Sequence, residues 1–153
     1  MNSRTYSRIA TIVAISCSTG TLVGVPGALA SPDSKPEKLC TITYPTPDDF
    51  TITASTEVFV RPTGVGRFTL TAHTDAKSQT PYDQRFQVTW SNLDTGKNGQ
   101  DETSAKVQGS DNVLTIPNLA TGPGRIPLVL GIANHGSGPN YTNGDCQVEY
   151  KAE

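Results

Sequence analysis

The chain has 153 residues, 12 basic and 14 acidic, with a net charge of −2 at neutral pH. That weakly acidic balance, without Lys/Arg clusters, argues against nucleic acid and anionic membrane surfaces as partners. One Met, 14 Gly and 11 Pro, with abundant Thr and Asn, favour strands joined by turns over helices.

In chain order, residues 1–30 read as a signal peptide. Arg4 and Arg8 supply the positive start, Ile9–Ile15 the short apolar run, and Ala28-Leu29-Ala30 a small-residue cleavage site. Ser16, Ser18, Thr19, Gly20 and Pro26 interrupt the run too often for a membrane-spanning helix, which needs about 20 consecutive apolar residues. The rival reading is lipidation of Cys17, which anchors the protein at the cell surface. The triplet before that cysteine, Ala14-Ile15-Ser16, lacks the expected leucine. Cleavage after Ala30 leaves 123 of the 153 residues and a net charge of −4, since Arg4 and Arg8 are lost. It also turns three cysteines into one pair, Cys40 and Cys146, expected to form a disulfide in an exported protein. Residues 31–49 read as a lead segment carrying Cys40.

Residues 50–153 alternate with period two. Phe50–Ala54 and Glu57–Val60 share one apolar phase, and Arg61–Gly64 reads as a turn. Phe68, Leu70 and Ala72 form one face of the next strand; Phe86, Val88 and Trp90 form another. Asp94–Gly99 is a turn, Glu102–Val107 a weak edge strand, and Val113–Ile116 a further strand. After a turn at Ala120–Gly124, one phase holds Ile126, Leu128, Leu130 and Ile132. The last strand places Cys146, Val148 and Tyr150 together. Pro127 cannot donate to a ladder and belongs at a strand start, an edge or a bulge. About seven short strands without helical periodicity predict an all-β, antiparallel two-sheet sandwich.

That strand count, the Phe86-x-Val88-x-Trp90 strand, and Val113–Ile116 leading through a Pro-Gly turn into a long apolar strand resemble immunoglobulin-like and fibronectin-III-like secreted sandwiches. The resemblance implies the architecture, not a particular family. No cysteine pair sits on the second and sixth strands, and no Tyr-x-Cys marks a tyrosine corner.

Alternating strand direction assigns the loops to two ends. If the 67–73 strand finishes at the top, loops 74–84, 108–112 and 134–145 lie there, with both cysteines. The long 134–145 loop is rich in Asn, Gly, Ser and Tyr, the composition of adaptable binding loops. Candidate contacts are Tyr82, Asp83, Asn134, His135, Asn140, Tyr141 and Asn143, with Asp75, Lys77, Gln79, Ser110, Asp111 and Asn112 on neighbouring loops. The bland alternative is a solvated turn cluster. His73 should face solvent, and neither it nor His135 has a metal-ligand partner nearby in sequence. Ser137 lacks the flanking glycines of a nucleophile elbow, because His135 and Pro139 occupy those positions. Asp48-Asp49 and Asp101-Glu102 lack a calcium-loop pattern, and Asn140-Tyr141-Thr142 matches a glycosylation sequon. No cofactor is implied. The expected function is a secreted, non-catalytic binding module for an extracellular protein or glycan. The alternative is a small inhibitor of an extracellular hydrolase presenting the 134–145 loop.

Overall fold

The computed structural model describes residues 35–153. The expected signal segment, its expected cleavage site and Cys17 lie outside them. Eight strands are present: β1 Glu37–Pro45, β2 Thr53–Gly64, β3 Arg67–Asp75, β4 Tyr82–Ser91, β5 Asn98–Val107, β6 Asn112–Ala120, β7 Gly124–His135 and β8 Tyr141–Ala152. They form two antiparallel sheets, ordered β1-β2-β3-β6 and β5-β4-β7-β8, packed as a sandwich. There is no helix among the described residues, so none long and apolar enough to cross a membrane.

Three expectations about strands and loops change. The seven strands become eight because the lead segment contributes β1, paired with β2 from Glu37↔Val60 to Pro45↔Thr53. Its Cys40, Ile42 and Tyr44 point inward in a period of two. Second, Phe50 and Ile52 belong to the β1–β2 turn and are 57% and 39% exposed, whereas Ala54, Val58 and Val60 continue their phase into the core. Arg61–Gly64 extends β2 rather than turning; the hairpin reverses at Val65-Gly66. Third, the 134–145 loop shrinks to residues 136–140, because β7 runs through His135 and β8 starts at Tyr141.

The predicted inner phases fill the core. Phe68, Leu70, Ala72, Phe86, Val88, Ile126, Leu128, Leu130 and Ile132 are buried. Trp90, Val148 and Tyr150 pack against this core while partly exposed. Pro127 lies near the start of β7, just before its ladder with β4 begins at Leu128, so no β4–β7 pairing is lost at the proline.

Cys40 and Cys146 are joined, with Cα atoms 6.7 Å apart. The bridge connects β1 to β8, the edge strands on one side of the sandwich. The bridge does not lie at the top, where the alternation of strand direction placed it. Cys40 is paired with Val58 and Cys146 with Leu130, so the staple crosses at mid-height. The two edges lie so close that a Cβ on Gly144 would meet Ile42 Cγ2 at 2.8 Å.

The ends of the sandwich are fixed by polar devices that the alternation pattern does not reveal. At the bottom, Asn92 is 1% exposed. Its amide donates to Thr121 O and Pro123 O at 3.0 Å, and its carbonyl accepts from the Asp94 and Thr95 amides at 3.0 Å. One side chain thus ties the β4–β5 turn to the β6–β7 turn. Gly66, at φ +62°, lies against this knot; its carbonyl accepts from the Thr121 and Gly122 amides. A Cβ there would collide with the Gly122 and Pro123 backbone.

Near the top, the inner faces carry a closed hydrogen-bonded ring. Thr74 Oγ1 donates to Gln84 Oε1 at 2.7 Å, and Gln84 Nε2 donates to Tyr44 OH at 2.8 Å. Those two bonds fix the rest: Tyr44 OH donates to Thr56 Oγ1 (2.8 Å), which donates to Thr74 Oγ1 (2.7 Å). Gln84 Nε2 also donates to Asn134 Oδ1 at 2.9 Å, and Asn134 Nδ2 to Thr142 Oγ1 at 3.2 Å. All six side chains belong to buried residues on six different strands. Burying so many polar groups is tolerable only because each finds a partner.

Candidate functional site

Residues 83, 85, 87 and 89 of β4 point away from the core, as do 129, 131, 133 and 135 of β7 and 141, 143, 145 and 147 of β8. Strand register arranges them in rows across the outer face of the second sheet. The uppermost row reads Lys106, Asp83, His135, Tyr141; the next Ser104, Arg85, Ala133, Asn143; the third Glu102, Gln87, Gly131, Asp145.

The middle column is the key to its shape. Ala133 and Gly131 are the smallest side chains available, and longer ones flank them on β4 and β8. A trough therefore runs along β7. It comprises a hollow of about 270 Å³ lined by Asp83, Arg85, Ser104, Ala133, His135 and Tyr141. Sharing Arg85 and Ala133, a second hollow of about 280 Å³ continues down past Gln87, Gly131, Asn143 and Asp145. A Cβ on residue 131 would meet Gln87 Nε2 at 3.0 Å, so the Gln87 amide lies across the β7 backbone, on the trough floor.

The upper rim is aromatic. His135 and Tyr141 stack, ring centroids 4.3 Å apart and planes 8° from parallel, while Tyr141 remains 70% exposed. The charges on the β4 side are matched: Asp83 pairs with Lys106 at 3.0 Å and Arg85 with Glu102 at 3.7 Å. Such exposed pairs add little stability, but they cancel the local field and hold the long side chains in place. Among the described residues, Asp145 is the one carboxylate along the trough with no ion pair. His135 has a single carboxylate, Asp83, beside it across the strands.

The sequence candidates divide accordingly. Asp83, His135, Tyr141 and Asn143 come together on this face. Asn140 sits in the 136–140 turn, where its carbonyl accepts from the Gly136 amide at 3.2 Å. Tyr82 and Asn134 are each 1% exposed and point into the core, out of reach of any ligand on the loop surface. The Tyr82 hydroxyl donates to Ala76 O at 3.4 Å. Burial, reinforced by the nearby Tyr44, pushes its pKa well above the ordinary value of 10.0. Loops 76–81 and 108–111 bind each other instead: Gln108 Nε2 donates to Gln79 O at 2.6 Å, and the Ala76 amide to Gly109 O at 2.8 Å. Asn112 is spent on the Thr74 and Gln108 carbonyls.

Elsewhere, Asp48 accepts from the Ser137 amide at 3.3 Å, bracing the 136–140 turn against the β1–β2 turn. Next to it, hydrogen bonds from the Thr51 hydroxyl and then its amide hold the Asp49 carboxyl below its usual range. On the outer face of the first sheet, His73 is exposed and meets Phe59 edge-on at 5.2 Å. A hollow of about 340 Å³ beside it is lined by Glu57, Asp75 and Asp111. Among the described residues no group of three His, Cys, Asp or Glu side chains is placed to hold a metal ion.

Sequence reasoning did not single out Arg85, Gln87, Gly131, Ala133 or Asp145. Each sits in the polar phase of its strand, where a solvated face and a binding face look alike. Comparison of the chain with protein-family models, with curated proteins and with solved structures found no match.

Proposed function

We propose that this chain is an exported, non-catalytic binding module of the broad immunoglobulin-like class, and that its ligand lies in the trough on the outer face of the second sheet. The observation that carries this reading is the stacked, exposed His135–Tyr141 pair at the rim of a concave, otherwise polar surface. A large aromatic ring left in water beside convergent polar side chains is a common feature of ligand sites. The disulfide is compatible with an extracellular setting. Support for a non-catalytic role comes from the trough's shallow form and from its one carboxylate beside His135 being already paired with Lys106. With the uppermost loop reduced to residues 136–140, the inhibitor alternative has little segment left to present.

The test immobilises the wild-type protein and the Tyr141→Ala and Arg85→Ala variants and passes native extracellular material over each. The expected outcome is a ligand retained by wild type and lost by both variants. Equal retention by all three refutes the trough as the site, and turnover of the retained ligand refutes the non-catalytic reading. Export is checked separately: the secreted protein should begin at Ser31.

A further inference from the structure

Resting on that reading, we infer that the trough takes a single chain of an uncharged polysaccharide, with one sugar ring against Tyr141. The first argument is electrostatic. On the β4 side, Asp83 is matched by Lys106 and Arg85 by Glu102, so the face has no cationic surplus to attract a polyanion. Asp145, on the β8 side and without an ion pair among the described residues, adds a small acidic excess that disfavours a polyanion further; a neutral, hydroxyl-rich ligand meets no such repulsion.

The second argument is geometric. β4 and β8 flank β7, and adjacent strands lie about 4.8 Å apart, so the walls stand roughly 10 Å from each other. That admits one extended polymer chain but not an α-helix with its side chains, about 10–12 Å across. An extended peptide binds a sheet by main-chain hydrogen bonds to a free edge. β7 has no free edge, being paired to β4 on one side and β8 on the other. Recognition in the trough must come from side chains.

Those side chains suit sugars. Gln87, Asn143, Arg85 and Asp145 offer planar arrays of donors and acceptors, the match for neighbouring hydroxyls on a ring. His135 covers one face of Tyr141; the other presents the negative side of its quadrupole to the weakly positive C–H face of a pyranose. A protein–protein interface would instead need an apolar core within about 800 Å² per partner. Here the exposed apolar surface beyond Tyr141 is confined to Ala133 and Val129. From His135 to Val129 the trough runs six residues, about 20 Å, the length of a short oligosaccharide.

The test is affinity electrophoresis of the disulfide-intact protein through gels containing α-glucan, β-glucan, mannan, galactan or arabinan. It is followed by NMR titration with the oligosaccharides of any retarding polymer. At least one gel should retard the protein, equally in low and high salt. Affinity should rise with oligomer length and level off once the trough is spanned. Tyr141→Ala should weaken binding about tenfold, the scale of one aromatic contact, and Tyr141→Trp should restore it. Gly131→Val, which displaces Gln87 into the trough, should also weaken binding, with its melting temperature as a check on folding. Val113→Ser, on the outer face of the opposite sheet, should change nothing. Free migration in all five gels overturns the inference, as does retention insensitive to Tyr141→Ala or abolished by salt. If no polysaccharide binds but a protein ligand is retained through Tyr141 and Arg85, the glycan assignment falls and the binding-module reading stands; if neither binds, both fall.

Discussion

Replacing Gln84 by leucine tests whether the buried ring is an obligatory part of the fold. The two side chains are similar in size, so packing changes little and the effect is chiefly polar. Gln84 makes three bonds of 2.7–2.9 Å, to Thr74, Tyr44 and Asn134. Without it, the hydroxyls of Tyr44, Thr56 and Thr74 can still bond to one another in a row. One proton at the end of that row then has no acceptor, and Asn134 Oδ1 has no donor. Each orphaned buried group costs about 1–3 kcal/mol, so the pair costs about 2–6 kcal/mol. Burying leucine in place of the amide returns part of this, leaving about 2–4 kcal/mol. Against a domain stability of about 5–15 kcal/mol that is a large share. Urea unfolding should show a lower midpoint at unchanged slope. Gln84→Leu combined with Asn134→Leu should cost less than the sum of the two singles, because the second change removes an acceptor the first had orphaned. A neutral Gln84→Leu, or strict additivity of the two, would refute the account of the ring as one coupled unit.

Three further outcomes are expected. The Cys40→Ser, Cys146→Ser double variant loses a cross-link over a sequence separation of 106 residues. Loop-closure entropy puts that at about 4.7 kcal/mol; an unchanged urea midpoint, or free thiols in the purified wild-type protein by mass spectrometry, contradicts it. Asn92→Ala removes the tie between two turns and should cost roughly 2–4 kcal/mol, seen as a lower melting temperature. It leaves ligand retention intact, since the knot is at the end away from the trough's aromatic rim. Above pH 10 the protein should lose stability. Burial raises the Tyr82 and Tyr150 pKa values, with Tyr44 adding to the first and Glu37 and Glu153 to the second. Their contribution is therefore complete below the unfolded value of about 10 and disappears as pH rises through the folded values. Absorbance at 295 nm should show Tyr82 ionising only as the chain unfolds; its ionisation in the folded state would overturn this reading.

The all-β architecture was legible because apolar residues keep strict alternation through β3, β4 and β7, where the apolar phase matches the expectation; Tyr82 and Asn134, expected on loops, join the buried set, and Trp90 stays partly exposed. β1 was legible too, in Cys40, Ile42 and Tyr44, but Pro45-Thr46-Pro47 signals a break and drew that segment out of the domain. The prolines instead end the strand: the Thr46 amide donates to Ile52 O at 2.8 Å and closes the turn into β2. Loop length was overestimated for a related reason. Asn134, Tyr141, Thr142 and Asn143 are turn-forming or polar types, and a run of them reads as loop. In the structure Asn134 and Thr142 face each other inside the core and hydrogen-bond, which lets both strands continue to the top. A buried polar ring depends on partners from β1, β2, β3, β4, β7 and β8 at one height, and no single window of sequence contains that coincidence.

The trough was hidden by the same kind of coincidence. Alternation says which residues leave the core, and it does so correctly for Arg85 and Gln87. It does not say which strands will flank them. The concavity exists because the strand carrying Gly131 and Ala133 is placed between two that carry longer side chains, an order set by β6 returning to the first sheet before β7 enters the second. In another order the same residues would be an ordinary solvated surface. The mid-height disulfide bears on this directly. By joining β8 to β1 across the open side, it fixes the outer wall of the trough to the opposite sheet. Its removal should therefore lower ligand affinity as well as stability, through looser placement of Asn143 and Asp145 on β8.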